Sequence, residues 1–313
     1  MTRIIAKLFA IAAALTLFLP VAPLFAANIV TYVSSSGSDS NPCTGALPCA
    51  SFLQAANSIG AGLNGQINCI NSPDINGTSL QFSASVTIDC AGVYETSLPN
   101  GGALSATGTN QVVKIRNLTI SGTLGGWPAI KFTGSGTLII ENCVFENLAG
   151  PALDIEPNGP LNLVITNSRI SNSGAGVLIK PSAAGGRVTA ALNGVTIADN
   201  AGGGLKTDST IGGLIEINVS NSTIINNAGN GMNAVGGAGG SNILNVGHSV
   251  IATNGSAGIQ ANGANAAVTV DTTLLDLNNI ATSAINSGQV LTYGNNRILG
   301  NSGSGFTGSP SLQ

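Results

Sequence analysis

The chain has 313 residues, 43 of them glycine, with 43% hydrophobic and only 7% charged residues. Ten Lys and Arg stand against 13 Asp and Glu, and removing Arg3 and Lys7 with a leader leaves 8 against 13. That balance excludes nucleic acid as a partner, because phosphate binding needs a basic surface. Isoleucine, valine and leucine recur throughout, which excludes a disordered chain.

Residues 1–26 read as a secretory signal peptide. Arg3 and Lys7 form the charged start, Leu8 to Leu19 the apolar run, and Leu24-Phe25-Ala26-Ala27 a small-residue cleavage site. The apolar run breaks at Pro20 and Pro23 and falls short of the ~20 residues an anchoring helix needs. No later segment is long and apolar enough to span a bilayer, so the expected mature protein starts near residue 27, is exported, and is secreted, periplasmic or held at the cell surface.

Export makes the cysteines interpretable as a disulfide framework. Cys43 and Cys49 flank a short proline-containing loop, and Cys69 and Cys90 bracket the next segment. The favoured pairs are therefore Cys43–Cys49 and Cys69–Cys90, out of the three connectivities that four cysteines allow. Cys143 is left over and reads as a small buried hydrophobe. A His/Cys metal site is disfavoured, since His248 is the single histidine and no CxxC pair occurs.

From residue 86 the chain repeats itself. The segments VTIDCAGV, VKIRNLTI, LIIENCVF, LVITNSRI, ALNGVTI, NVSNSTI, LNVGHSVI, VTVDTTLL and LTYGNNRI align on Cys90, Asn117, Asn142, Asn167, Gly194, Asn221, His248, Thr272 and Asn295, spaced by 23 to 27 residues. A second register follows glycine-rich turns as ALSA, AIKF, ALDI, GVLI, GLKT, GMNA, GIQA and AINS. Self-similarity at this period signals a solenoid, and the β-branched alternation makes its elements strands. In a parallel β-solenoid like residues stack about 4.8 Å apart. The aligned asparagines are therefore expected to form a buried structural ladder, with the sequons at Asn117 and Asn221 hidden inside it.

This pattern resembles the pectate-lyase-like superfamily of right-handed parallel β-helix proteins. The stretch TYVSSSGSDSNPCTGALPCASFLQAANSI strengthens the likeness, with a strand, a Gly-Ser-Asp-Asn-Pro turn and a short helix that looks like the cap of a first coil. The expected fold is all-β: a single-stranded right-handed parallel β-helix of about nine coils over residues 86–313, behind a capped, disulfide-bonded segment over 27–85. The resemblance specifies fold and leaves activity open.

Alternation along the second-register strands turns one column outward, Ser105, Lys131, Asp154, Leu178, Lys206, Asn233, Gln260 and Asn286, and a second column as Thr133, Glu156, Lys180 and Asp208. Six scarce charges thus share one face, and Trp127, the only tryptophan, precedes Lys131. In the superfamily's lyases and hydrolases that face is where polysaccharide lies, so Trp127, Lys131, Asp154, Glu156 and Asp208 are the expected sugar contacts. The resemblance to the lyases implies Lys180 or Lys206 as base, with Asp154, Glu156 and Asp208 holding Ca²⁺. Asn-Thr-Asp, Asp-Asp and Gly-His-Gly, the hydrolase signatures, are absent. The opposing structural reading pairs Lys131 with Asp154, and Lys180 with Glu156 and Asp208, as cross-strand ion pairs, as Arg116 sits between Asp89 and Glu141 on another face. Short turns favour a non-enzymatic extracellular or surface protein binding an extracellular polysaccharide along the charged face; the alternative is a Ca-dependent polyuronate lyase with a reduced site.

Overall fold

The computed structural model describes residues 29–60, 64–71, 80–95, 104–122, 127–303 and 305–310. The signal peptide expected over residues 1–26 lies outside the described residues. Among the described residues every strand pairing is parallel, in one sheet of eighteen strands and a second of nine. No helix there is long and apolar enough to cross a membrane.

One coil shows how the repeat becomes structure. A long strand, Leu161–Thr166, ends at Asn167 with φ +48°; a short strand, Arg169–Ser171, ends at Asn172 with φ +50°; and a strand of the second sheet, Ala175–Ile179, completes the turn. Left-handed residues cost asparagine less than other side chains, because its short amide bonds locally. The long strands stack in strict register, so Leu138, Leu163, Ala190, Ile217, Leu244, Val268 and Val290 form one file. All seven are buried. Each aliphatic side chain withdrawn this way contributes about 1.5–3 kcal/mol before chain entropy is charged against it.

An asparagine ladder is present, but its buried run stands one corner further on than the repeat suggests. Asn142, Asn167 and Asn221 are exposed, because a left-handed corner residue projects outward and its successor turns in. At this first corner the buried positions are Cys143, Ser168, Val195, Ser222, Ser249 and Thr273. The Cys143 N–H donates to Ser168 Oγ at 3.1 Å, and Ser168 Oγ donates to the Thr166 carbonyl at 2.8 Å. Burial pushes the Cys143 thiol up to about 11, so it stays neutral, the inert packing role expected of it. The continuous ladder is at the second corner, through Asn200, Asn227, Asn254, Asn278 and Asn301. The sequons at Asn117 and Asn221 are accordingly half-buried and exposed.

The N-terminal segment adds directly to the coils: Ile29–Val33 pairs with Gly65–Cys69, which pairs with Val86–Glu95. Between the first two lies helix α1, Phe52–Ile59, capped by Ser51, whose hydroxyl accepts from the Gln54 N–H at 3.2 Å. Asp39 fixes that cap by accepting from the Ala50 and Ser51 N–H groups, each at 2.9 Å. The helix turns Phe52, Ala55 and Ile59 onto the core, the expected end cap. Both expected disulfides form, Cys43–Cys49 and Cys69–Cys90. At the other end, Gly303 and residues 305–308 lie against the last strands: Ala281 N–H donates to the Gly303 carbonyl and Thr307 N–H to the Val290 carbonyl. Phe306 packs there against the core.

The final rung of the second sheet differs from the sequence alignment. Gln260 pairs with Ser283 instead of Asn286, so Thr282 is the inward residue and Ile285 faces out. The last coil is shorter, and left-handed Asn286 and Ser287 place the reversal after Ile285.

Candidate binding face

The second sheet positions the site. Its strands Ile130–Phe132, Pro151–Ile155, Ala175–Ile179, Leu205–Asp208 and Met232–Val235 align Lys131, Asp154, Leu178, Lys206 and Asn233 in one column. Ile179 pairs with Thr207, which sets Lys180 beside Asp208 in the next column.

The charges do not behave as six equivalent surface groups. Lys131 Nζ lies 2.5 Å from Asp154 Oδ2 and 2.6 Å from Glu156 Oε2, closing a three-residue cluster. Asp154 is only 9% exposed, and its Oδ1 is buried with no hydrogen-bond partner. That burial pushes the Asp154 carboxyl above the ordinary range despite the neighbouring ammonium. Burial favours the neutral amine at Lys131, but the bonds to both carboxylates outweigh it and raise its pKa.

Two coils on, Asp208 behaves in the opposite way. Burial would raise it, yet the Thr210 hydroxyl at 2.6 Å and the Thr210 N–H at 3.0 Å donate to Oδ1 and hold it below the ordinary range. Lys206 approaches its other oxygen at 3.8 Å. Lys180, expected between Glu156 and Asp208 as an ion-pair partner, makes no salt bridge among the described residues. It acts on Asp154 and Asp208 through its field alone. On the other face Arg116 does stand in register between Asp89 and Glu141, and its ion pair goes to Glu141 at 2.7 Å.

Calcium does not fit this donor set. Asp154 and Glu156 converge on an ammonium, and Asp208 is turned to Thr210 two coils away, so the three share no common point. Among the described residues no group of three His, Cys, Asp or Glu could hold a metal ion.

What the sequence did not disclose is a groove of about 450 Å³ beside the charged columns, lined by Pro151, Ala175, Leu178, Lys206, Asn230 and Asn233 among others. Gly203 and Gly229 are part of its lining, and a Cβ on Gly203 would lie 3.1 Å from the Asn230 carbonyl. The run Gly202-Gly203-Gly204 was the one legible signal. Trp127, 56% exposed, lies outside the groove's lining; Ala129 N–H donates to the Ala152 carbonyl, which places the Trp127 turn one coil before Pro151. The groove therefore combines an apolar floor, two amides and a lysine.

Comparison with known proteins gives a consistent picture of the architecture. Residues 102–275 match the model of the family described as "Right handed beta helix region". Among solved structures the chain is similar to the crystal structure of pectate lyase Pel9A, at 17% identity over 91% of this chain and 79% of that one, with a TM-score of 0.59. A rhamnogalacturonan lyase matches at 16% identity over 84% of this chain and 75% of that one, with a TM-score of 0.37. No curated protein matches the sequence.

Proposed function

From the premise that the chain belongs to the right-handed β-helix family, we propose that it is an exported, non-enzymatic protein that binds an extracellular polysaccharide on the second sheet. The observation that carries this reading is the groove beside the charged columns, where Leu178, Ala175 and Pro151 offer an apolar floor and Lys206 and Asn233 are among the polar lining, with Asn230 held by Gln260 and Ala257. A pyranose presents that combination, one apolar face and a ring of hydroxyls, and Trp127 adds a flat surface for a neighbouring unit. Lys180, without a salt bridge among the described residues, and Lys206, weakly held, are cations on this face available to an acidic sugar. Lys131 is held by Asp154 Oδ2 and Glu156 Oε2, and this cluster borders the site.

Binding is favoured over a lyase using Lys180 or Lys206 as base, because the carboxylates needed to hold a cation do not converge. The experiment is a glycan array followed by calorimetry with the best ligand, run in parallel with a polyuronate panel with and without Ca²⁺. Trp127→Ala, Lys206→Ala and Leu178→Asp should each weaken binding by about tenfold, with Arg116→Ala unchanged. Equal affinity in all four variants would remove the second sheet as the binding face, and Ca²⁺-dependent release of unsaturated products would replace binding by cleavage.

A further inference from the structure

The cluster at Lys131 carries an inference independent of any ligand. Three groups converge in it: an amine, a carboxyl directly opposite in register, and a second carboxylate just past the end of the same strand. We propose that Lys131 and Asp154 condense into an intramolecular amide that joins two adjacent coils, with Glu156 carrying the protons.

The step balances without any further reactant. Glu156 takes one proton from the Lys131 ammonium, and the freed Nζ attacks Asp154 Cγ. Nζ gives up a second proton as the C–N bond forms, both protons pass to Oδ2 by way of Glu156, the Cγ–Oδ2 bond breaks, and one water leaves, with a single hydrogen kept on the amide nitrogen. The geometry suits each part. Nζ already touches Oδ2, the departing atom, and Glu156 Oε2 contacts the same Nζ. Oδ1, the oxygen that would remain as the amide carbonyl, is the one buried without a partner. An unpaired neutral carbonyl in that position costs less than an unpaired carboxylate oxygen. In water the reaction runs uphill because both ions are well hydrated. Here burial has removed much of the hydration of Asp154, and the fixed register supplies a high effective concentration. The raised pKa of Asp154 agrees with a carboxyl that accepts a proton readily. Lys180 and Glu156 are the other charged groups whose fields act on it, with opposite signs.

The remaining ion pairs lack one or more of these features. Arg116–Glu141 and Arg187–Glu216 use guanidinium groups, and Lys206–Asp208 is open at 3.8 Å with Asp208 Oδ1 held by Thr210. The test is peptide mapping of the purified full chain by mass spectrometry after reduction. The expected result is a branched peptide joining the segments of Lys131 and Asp154, lighter than its two parts by one water. It should disappear in Lys131→Arg and in Asp154→Ala. Glu156→Gln, checked by circular dichroism to be folded, should retain separate linear peptides or form the branch many-fold more slowly. Linear peptides with an acetylatable Lys131 in the folded wild type would overturn the proposal, as would branching in Glu156→Gln at the wild-type rate. Either result leaves the glycan experiment untouched.

Discussion

The two corners of each coil use the same local grammar and reach different strengths. Both place a left-handed residue outward and turn the next side chain in, as in Asn221-Ser222 at the first corner and Asn226-Asn227 at the second. At the first, Ser222 Oγ accepts from the Val195 N–H at 3.2 Å and donates to the Ser220 carbonyl at 2.7 Å, so each hydroxyl closes locally. At the second, Asn227 Oδ1 accepts both the Asn200 N–H and Asn200 Nδ2, while its own Nδ2 reaches Asn254 Oδ1 and the Ile197 carbonyl. Each hydroxyl spends its single donor on a carbonyl of its own coil, whereas an amide has a second donor left to reach the next coil. Identical periodicity therefore conceals a chain of separate clips on one side and a continuous ladder on the other.

The sharpest way to break that contrast is to cut the ladder. Asn227→Ala leaves several buried polar groups without partners, so a loss of about 4 kcal/mol is expected, read by urea unfolding. A loss under about 1 kcal/mol, the scale of one ordinary hydrogen bond, would mean that the rungs act singly.

Next in size is the covalent version of the first corner. Asn68 pairs with Asp89, which brings Cys69 and Cys90 together with Cα atoms 4.6 Å apart, in the file that continues to Asn117. Replacing both with serine releases a loop spanning 21 positions and should cost about 3 kcal/mol. Thermal unfolding of the double variant checks this, and an unchanged midpoint would show that the cap is held by α1 and strand pairing alone. Ser222→Ala, deeper in the same corner, strands the Val195 N–H and should cost about 1–2 kcal/mol, visible as faster amide exchange at Val195. Protection equal to wild type would place the support of that corner in the strands.

Much of this was legible in the sequence, and the failures have physical causes. Solenoid, strand period, cap helix and both disulfides follow from spacing and cysteine placement, since stacking forces like residues into register. The outward position of Lys131, Asp154, Glu156 and Asp208 follows from two-residue alternation. The ladder was assigned to the wrong corner because asparagine favours two situations, a left-handed backbone and a buried amide chain, and both recur once per coil. Only burial separates them, and burial depends on the turn that follows. The groove was hidden because part of its lining is glycine, at Gly203 and Gly229, where what matters is the absence of atoms. Lys180 was paired on paper with carboxylates that instead turn to Lys131 and Thr210.

The smallest expected effect is the most discriminating. Asn142 has φ +54°, is exposed, and makes one weak side-chain bond, Nδ2 to Asn117 Oδ1 at 3.3 Å. Gly194 occupies the same column two coils later with φ +65°, so the position demands a backbone conformation and not an amide. Asn142→Gly keeps that conformation free of steric cost and loses an exposed bond, while the unfolded chain gains some freedom. The net change should stay within about 0.5 kcal/mol. Asn142→Val keeps the exposure but forces a β-branched side chain into the left-handed region, at about 1–3 kcal/mol. Denaturant midpoints for the two variants separate the causes. If glycine proves as harmful as valine, the exposed amide carries the corner, and the distinction between the two corners collapses.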